Sequence, residues 1–341
     1  MATLELIEAI DLAVADNNPP SVGRHYLGGS QIGEECERKL WYSFRWAMLI
    51  VFGPRILRLF DRGHREEPAL IKYLTDAGVD CYEVDEKTGE QFAVSFAWGH
   101  GGGHLDGALN NLPDHPEWHL AEFKTSSDKE FKKVQKAGVR SAKPIHYSQM
   151  QIYMHLSGLK FAAYIVVNKN DDALYFERVE YDPDEGARIE AKAEAIVAAE
   201  SPPTKLSEDP TFFKCRFCDY KELCHYEQTP QANCRTCVHA TPEKEDGRWL
   251  CEKKNLELTR QLQKQGCGQH RFIPHLIENW AEFIEMEGES VKYKNTQNGK
   301  EFYNGEPGYS SIEISLVNDV RIIGNETVDE IKETFDGRVA G

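Results

Sequence analysis

The chain lacks several things at once, and each absence narrows what it can be. No apolar run is bilayer-sized; the longest, such as 161–167, are strand-sized, so no membrane span is expected. The first 16 residues place Glu5, Glu8 and Asp11 inside their apolar pattern, which is not the basic start and unbroken apolar run of a signal peptide. Cationic excess is missing too. Lys and Arg total 40 against 56 Asp and Glu, a net charge of −16. That argues against a protein that coats nucleic acid by displacing counterions, but not against an enzyme with a locally basic channel. No internal repeat, low-complexity tract, or flavin or nicotinamide signature is present, which ranks electron transfer last among the functions considered.

What is present supports a folded chain. With 341 residues, 40% hydrophobic and 11% aromatic, the sequence can bury a sizeable core. The length suits one large domain plus an appendage, or two ordinary domains. Helical spacing predicts helices over 4–15, 38–46, 55–77, 129–137, 144–156 and 185–199. Strands are predicted over 79–84, 91–96, 104–109, 118–124, 161–168 and 173–181. Pro144 suits the first turn of its helix, and Gly158 follows the end. This order predicts an α/β fold with a mixed central sheet flanked by helices. A cysteine-rich stretch follows, then a helical region around 272–286. The last part, 289–341, reads as short strand-like pieces with a final helix near 328–335.

Three charged residues carry the chemistry. Glu122 and Lys124 are two apart on a strand and so share a face. Asp106, at the end of the neighbouring strand, can supply a second carboxylate. Divalent ions held by carboxylates polarise a phosphate and lower the pKa of bound water. A lysine adds fixed positive charge where negative charge develops. Taken alone, D-x15-E-x-K is also the pattern of an edge-strand salt bridge. Two further pairs accompany it. Gln149 and Tyr153 are i and i+4 on the helix after the strands, and His64 and Glu67 are i and i+3 on the helix before them.

Together these motifs resemble the PD-(D/E)XK nuclease superfamily, in its RecB-like branch with a QxxxY motif, over roughly 30–224. The resemblance implies a restriction-endonuclease-like core and a Mg- or Mn-dependent deoxyribonuclease, an exonuclease with two-metal chemistry. Asp106, Glu122 and the backbone carbonyl of Phe123 would ligate metal. Lys124 would orient or activate the attacking water, and Gln149 and Tyr153 would line the site and help hold DNA. Many relatives read GxxxH on the first helix. Here the position four after Gly63 is Glu67, which takes that role, with His64 as a further candidate ligand; His104 is assigned a structural role. The implied partners are DNA and proteins of recombination or replication, with no membrane, in a bacterial or phage-infected cytoplasm. The competing reading is a catalytically silent nucleic-acid-binding or adaptor protein stabilised by metal clusters.

The cysteines are unevenly placed. Cys36 and Cys81 are isolated, and the rest lie between Cys215 and Cys267. Clustered C-x2-C pairs without a secretory signal favour metal over disulfides. Cys36 with Cys215, Cys218 and Cys224 resembles the iron–sulfur members of the same nuclease branch, which implies a 4Fe-4S cluster; zinc also suits four thiolates. Cys234, Cys237, Cys251 and Cys267 have spacing suited to structural zinc, with His239 or His270 able to replace one thiolate. Cys81 reads as a buried thiol on a strand. Lys129, Lys132, Lys133, Lys136, Arg140 and Lys143 form a basic segment that is either a DNA-phosphate contact or a solvated helix face. The expected domains are a nuclease at 1–229, a zinc module at 230–288 and a tail at 289–341.

Overall fold

The computed structural model describes residues 2–335 and 337–339. In chain order its elements are α1 (Ala2–Asp16), β1 (Leu27–Gly28), α2 (Glu37–Phe44), α3 (Pro54–Asp76), β2 (Asp80–Tyr82), β3 (Ala93–Phe96), β4 (Gly101–His104), β5 (Gly107–Asn110), β6 (His119–Ser126), α4 (Asp128–Ala142), α5 (Pro144–Ser157), β7 (Phe161–Asn168), β8 (Leu174–Glu180) and α6 (Pro183–Ala198). The chain continues through α7 (Phe213–Arg216), α8 (Lys221–His225), β9 (Ala240–Pro242), β10 (Trp249–Cys251), β11 (Leu256–Glu257), α9 (Arg260–Gln263), β12 (Ala281–Glu287), β13 (Ser290–Asn295), β14 (Glu301–Asn304), α10 (Ser311–Leu316) and α11 (Glu326–Phe335). Among the described residues, no helix is long and apolar enough to cross a membrane.

Two compact units form. The first comprises Met1–Ser21, Leu27–Glu34 and Val51–Glu194; the second comprises Val22–Tyr26, Glu35–Ile50 and Ala195–Gly341. This division departs from the expected 229/230 boundary, because residues 35–50, with Cys36 among them, group with the C-terminal half.

The first unit is a mixed α/β structure, as the sequence pattern predicts. Its main sheet has the order β2-β5-β6-β7-β8, with β6 and β7 parallel and the other pairs antiparallel. Alternation along β6 sets its two faces. Ala121 and Phe123 join Leu70 of α3 and Ala163, Ile165 and Val167 of β7 in one apolar cluster. Cys81 packs partly buried against the same cluster. Helix α5 begins with Pro144 and ends at Gly158, which takes φ +79°. Helix α4 breaks at Gly138, where φ is +71°; a side chain there would be strained and would also meet Glu177.

One expected strand, 104–109, is two. Residues 101–104 form β4, the centre of a separate sheet ordered β1-β4-β3, and 107–110 form β5 of the main sheet. The chain changes sheets at Leu105 and Asp106. The triplet Gly101-Gly102-Gly103 has low strand propensity, so β4 is held by pairing on both sides rather than by its own composition.

The second unit contains two three-stranded antiparallel sheets, β11-β10-β9 and β12-β13-β14. The expected helical region at 272–286 is instead a short 3-10 turn at Pro274–Leu276 followed by β12. The Ala281–Glu287 sequence mixes apolar and acidic residues in a nearly helical rhythm. Pairing with β13, with a bulge between Phe283 and Glu285, overrides that preference. The expected 288/289 boundary therefore falls inside a β-hairpin, with Gly288 at φ +60° in its turn. Residues 289–323 are no separate tail, because Val291, Tyr293, Phe302 and Ile314 share one core with Phe272 and Trp280.

Candidate active site

The face of β6 opposite the apolar cluster carries Glu122 and Lys124. Glu122 is fully buried; its Oε1 pairs with the Lys124 ammonium, and its Oε2 has no partner. Asp106, at the sheet-changing corner, accepts the Phe123 backbone N–H at 2.8 Å and lies 3.8 Å from Lys124 Nζ. Lys124 Nζ also donates to the Phe123 carbonyl at 3.1 Å. The two acids, the lysine and that carbonyl therefore converge, as the motif predicts.

The electrostatics follow from burial. Glu122 is pushed up to about 7, first by loss of water, with Asp106 and Glu67 adding and Lys124 opposing. Lys124 keeps a raised pKa: burial works against its charge, but Glu122, Asp106 and Glu67 outweigh it. Glu67 of α3 is itself raised, by burial and then by Asp106, which ties the leading helix to the same site. His64 is 78% exposed and reaches Glu67 at 3.9 Å, so it stands at the outer edge.

Two further residues belong here that sequence reasoning missed. Tyr164 of β7 sits directly beside Glu122 in the parallel register, and its hydroxyl is 2.8 Å from His146 Nδ1. His146 is pushed down to about 3 by burial, then by Lys124 and Lys143, and so is neutral. The only available signal was spacing: His146 lies three residues before Gln149, on the same side of α5. Gln149 and Tyr153 are both buried, and the Tyr153 ring lies against Gly29 and Gly103.

The basic segment maps to α4 and its end. Lys129, Lys132, Lys133, Lys136 and Arg140 are exposed, and Lys143 is half-buried. Three already face acids: Lys132 meets Asp128 at 2.8 Å, Lys143 meets Glu130 at 2.6 Å and Arg140 meets Asp182 at 3.7 Å. His104 is exposed, not a packed structural residue.

Both cysteine sets lie wholly in the second unit, and all nine cysteines are free thiols. Burial first raises the pKa values of Cys215, Cys218 and Cys224, and each also feels Cys36. Cys234, Cys237, Cys251 and Cys267 line one cavity together with His239 and His270.

Among the described residues, no three His, Cys, Asp or Glu side chains stand together as a ready-made metal site. At the carboxylates the reason is visible: the Lys124 ammonium contacts both acids and serves as their counter-charge. The donors nevertheless suit a hard cation. Glu122 offers one buried oxygen without a partner and one shared with Lys124, and Asp106, Glu67 and the Phe123 carbonyl add only oxygen.

No family model matches the chain, and no match appears among curated proteins. Among solved structures, similar chains include the LHK-Exo complex with dAMP, at 16% identity and TM-score 0.37, covering 56% of this chain and 91% of that one. The alkaline exonuclease LHK-Exo from Laribacter hongkongensis matches at 17% and 0.35, with the same coverage. SSO0001 matches at 15% and 0.38, covering 64% and 96%. At these identities and TM-scores the likeness carries no functional argument, so the chemistry of the site has to supply it.

Proposed function

We propose that this chain is a metal-dependent DNA nuclease that hydrolyses phosphodiester bonds at Asp106, Glu122 and Lys124. The observation that carries the reading is Glu122: a fully buried carboxylate whose Oε1 is paired with Lys124 and whose Oε2 has no partner, facing a second acid. A buried carboxylate oxygen left without a partner costs stability and calls for a reason. A cation that completes its coordination is such a reason.

Asp106, Glu122, Glu67 and the Phe123 carbonyl would hold Mg or Mn. When bound, the metal neutralises phosphate charge and makes an attacking water more acidic. The chain's own residues do the rest. The Phe123 N–H holds Asp106 Oδ2, the oxygen 3.8 Å from Lys124 Nζ, and so fixes the carboxylate beside the lysine. Lys124, held charged by its acids, places positive charge where the phosphorane oxygens gain negative charge. A water oxygen bonds to phosphorus, the bond to the leaving sugar oxygen breaks, and that oxygen ends protonated.

The finer reading is an exonuclease with two-metal chemistry, acting in recombination, repair or phage DNA metabolism. Lys129, Lys133 and Lys136 on α4 supply phosphate contacts, and Gln149 and Tyr153 support the site from α5. Cys36, Cys215, Cys218 and Cys224 are the ligand set proposed for a 4Fe-4S cluster. The deciding experiment is digestion of end-labelled single- and double-stranded DNA with and without Mg or Mn. Cleavage should require the metal and disappear in Glu122→Gln. Near-wild-type cleavage by that variant would sink the assignment.

A further inference from the structure

The second cysteine set stands apart from the proposed chemistry, and its surroundings are specific. Cys234 and Cys237 flank one 3-10 turn. The turn is fixed from both ends: the Asn233 side chain accepts the Arg235 N–H at 2.9 Å, and Thr236 Oγ1 accepts the Asn233 N–H at 3.2 Å. Cys251 ends β10, paired with Ala240 on one side and Leu256 on the other. Cys267 begins a second turn, in which the His270 N–H donates to the Cys267 carbonyl at 2.9 Å. Three separate pieces of chain thus bring four thiols to one cavity of about 20 Å³.

The cavity walls suit a charged occupant. Lys253 and Lys254 line it, and a divalent ion held by four thiolates carries two negative charges. His270 is 1% exposed. Its Nε2 donates to the Asn233 carbonyl at 2.8 Å, tying the second turn to the first, while Nδ1 is buried without a partner. The thiols also sense one another: Cys234 is pushed up to about 11 by burial, then by Cys237, Cys267 and Cys251.

The segment itself contributes few apolar side chains to a core. Between Cys234 and His270 the buried apolar residues are Cys237, Ala240, Trp249 and Leu258. Trp249 and Arg235 lean on Phe44 and Trp46, but the cysteine-bearing turns hold few apolar residues of their own, a setting in which a metal adds most, and the cysteines are free thiols.

We propose that Cys234, Cys237, Cys251 and Cys267 bind one zinc ion as a structural tetrathiolate site. Soft sulfur donors in a closed tetrahedral set select zinc over the hard cations suited to Glu122. Binding is not a redox step: four S–H groups release their protons to solvent and four Zn–S bonds form. The thiols line the cavity without yet converging on one point, and Cys234 in particular must turn, since its Sγ now faces the Leu262 and Gln265 carbonyls at 3.4 and 3.3 Å. The site does not depend on the nuclease reading and can stand or fall separately.

The test is site-resolved alkylation of the full-length protein with N-ethylmaleimide, read by peptide mass spectrometry, alongside zinc analysis. All four cysteines should resist labelling as purified and become labelled after zinc is removed with a strong chelator under reducing conditions. His270→Gln should keep its zinc. Labelling that ignores the chelator would overturn the proposal. So would free labelling of Cys267 while the other three stay protected, because His270 would then be the fourth ligand. The wild-type experiment decides even if Cys251→Ser fails to fold, and resolution by residue separates this metal from any held by Cys36 and its partners.

Discussion

Asp106, Glu122 and Lys124 stand on and beside strands of a five-stranded sheet, whereas Cys234, Cys237, Cys251 and Cys267 stand on turns and a short hairpin. The carboxylate site is framed by a core that exists without it: Leu70, Phe123 and Ile165 pack on the other face of the same sheet. The cysteine region is backed only along one side, where Trp249 packs on Phe44 and Arg235 on Trp46. A metal should therefore be a reagent at the first site and a structural element at the second. Removing it should stop chemistry in one place and unfold chain in the other.

The largest effect that could break this contrast is catalytic. Glu122→Gln should lower cleavage by about a thousandfold or more, since several kcal/mol of charge stabilisation is lost. Its far-UV circular dichroism should match wild type; a collapsed spectrum would mean that Glu122 holds the fold as well. Next comes chelation, followed by amide hydrogen exchange. A strong chelator should sharply speed exchange across 234–270 and leave 119–126 protected. Equal protection before and after would erase the distinction between the units.

A smaller effect sharpens the comparison on the sheet side. His146 is pushed down to about 3, so the folded state resists protonation more than the unfolded chain does. Its stabilising contribution is complete above the ordinary histidine pKa of 6.5 and is lost progressively as pH falls toward 3. Between pH 7 and pH 5 the loss is about 2 kcal/mol at most, read as a lower urea midpoint, and His146→Gln should flatten that dependence. An unchanged slope in the variant would show that His146 is not the group responsible. The smallest effect concerns α4. Neutralising Lys129, Lys133 and Lys136 should reduce the salt dependence of DNA binding by about one unit of slope per lost phosphate contact. An unchanged slope would make this a solvated face, already partly satisfied by Asp128, Glu130 and Asp182.

The legible parts of the sequence were those where one local rule dominates. Glu122 and Lys124 follow the two-residue period of a strand, and α5 is bracketed by Pro144 and Gly158. Both survive folding because nothing in the tertiary structure opposes them. Tyr164 was invisible for the opposite reason: its place beside Glu122 comes from the β6–β7 register, which no local pattern encodes. Residues 281–287 look helical in isolation and become a strand because β13 pairs with them. Motif order linked Cys36 with Cys215, Cys218 and Cys224 in the sequence, but the grouping of all of 35–50 with the C-terminal unit was not legible there.

The glycine triplet of β4 has a mechanical consequence. A methyl group at Gly103 would come within 2.0 Å of the Tyr153 hydroxyl, and one at Gly29 within 2.4 Å of the same ring. The aromatic disc thus rests on bare backbone, which is a hard stop: main chain in paired strands cannot change rotamer to accommodate it. Tyr153 and His146 are seven residues apart on α5, about 10 Å along the axis. The helix is gauged at one end by contact with glycine, and at the other it presents His146 to Tyr164 beside Glu122. Side-chain packing elsewhere can absorb small errors by repacking. Here the tolerance is set by the thickness of a ring, and the helix inherits that precision where it meets the carboxylates.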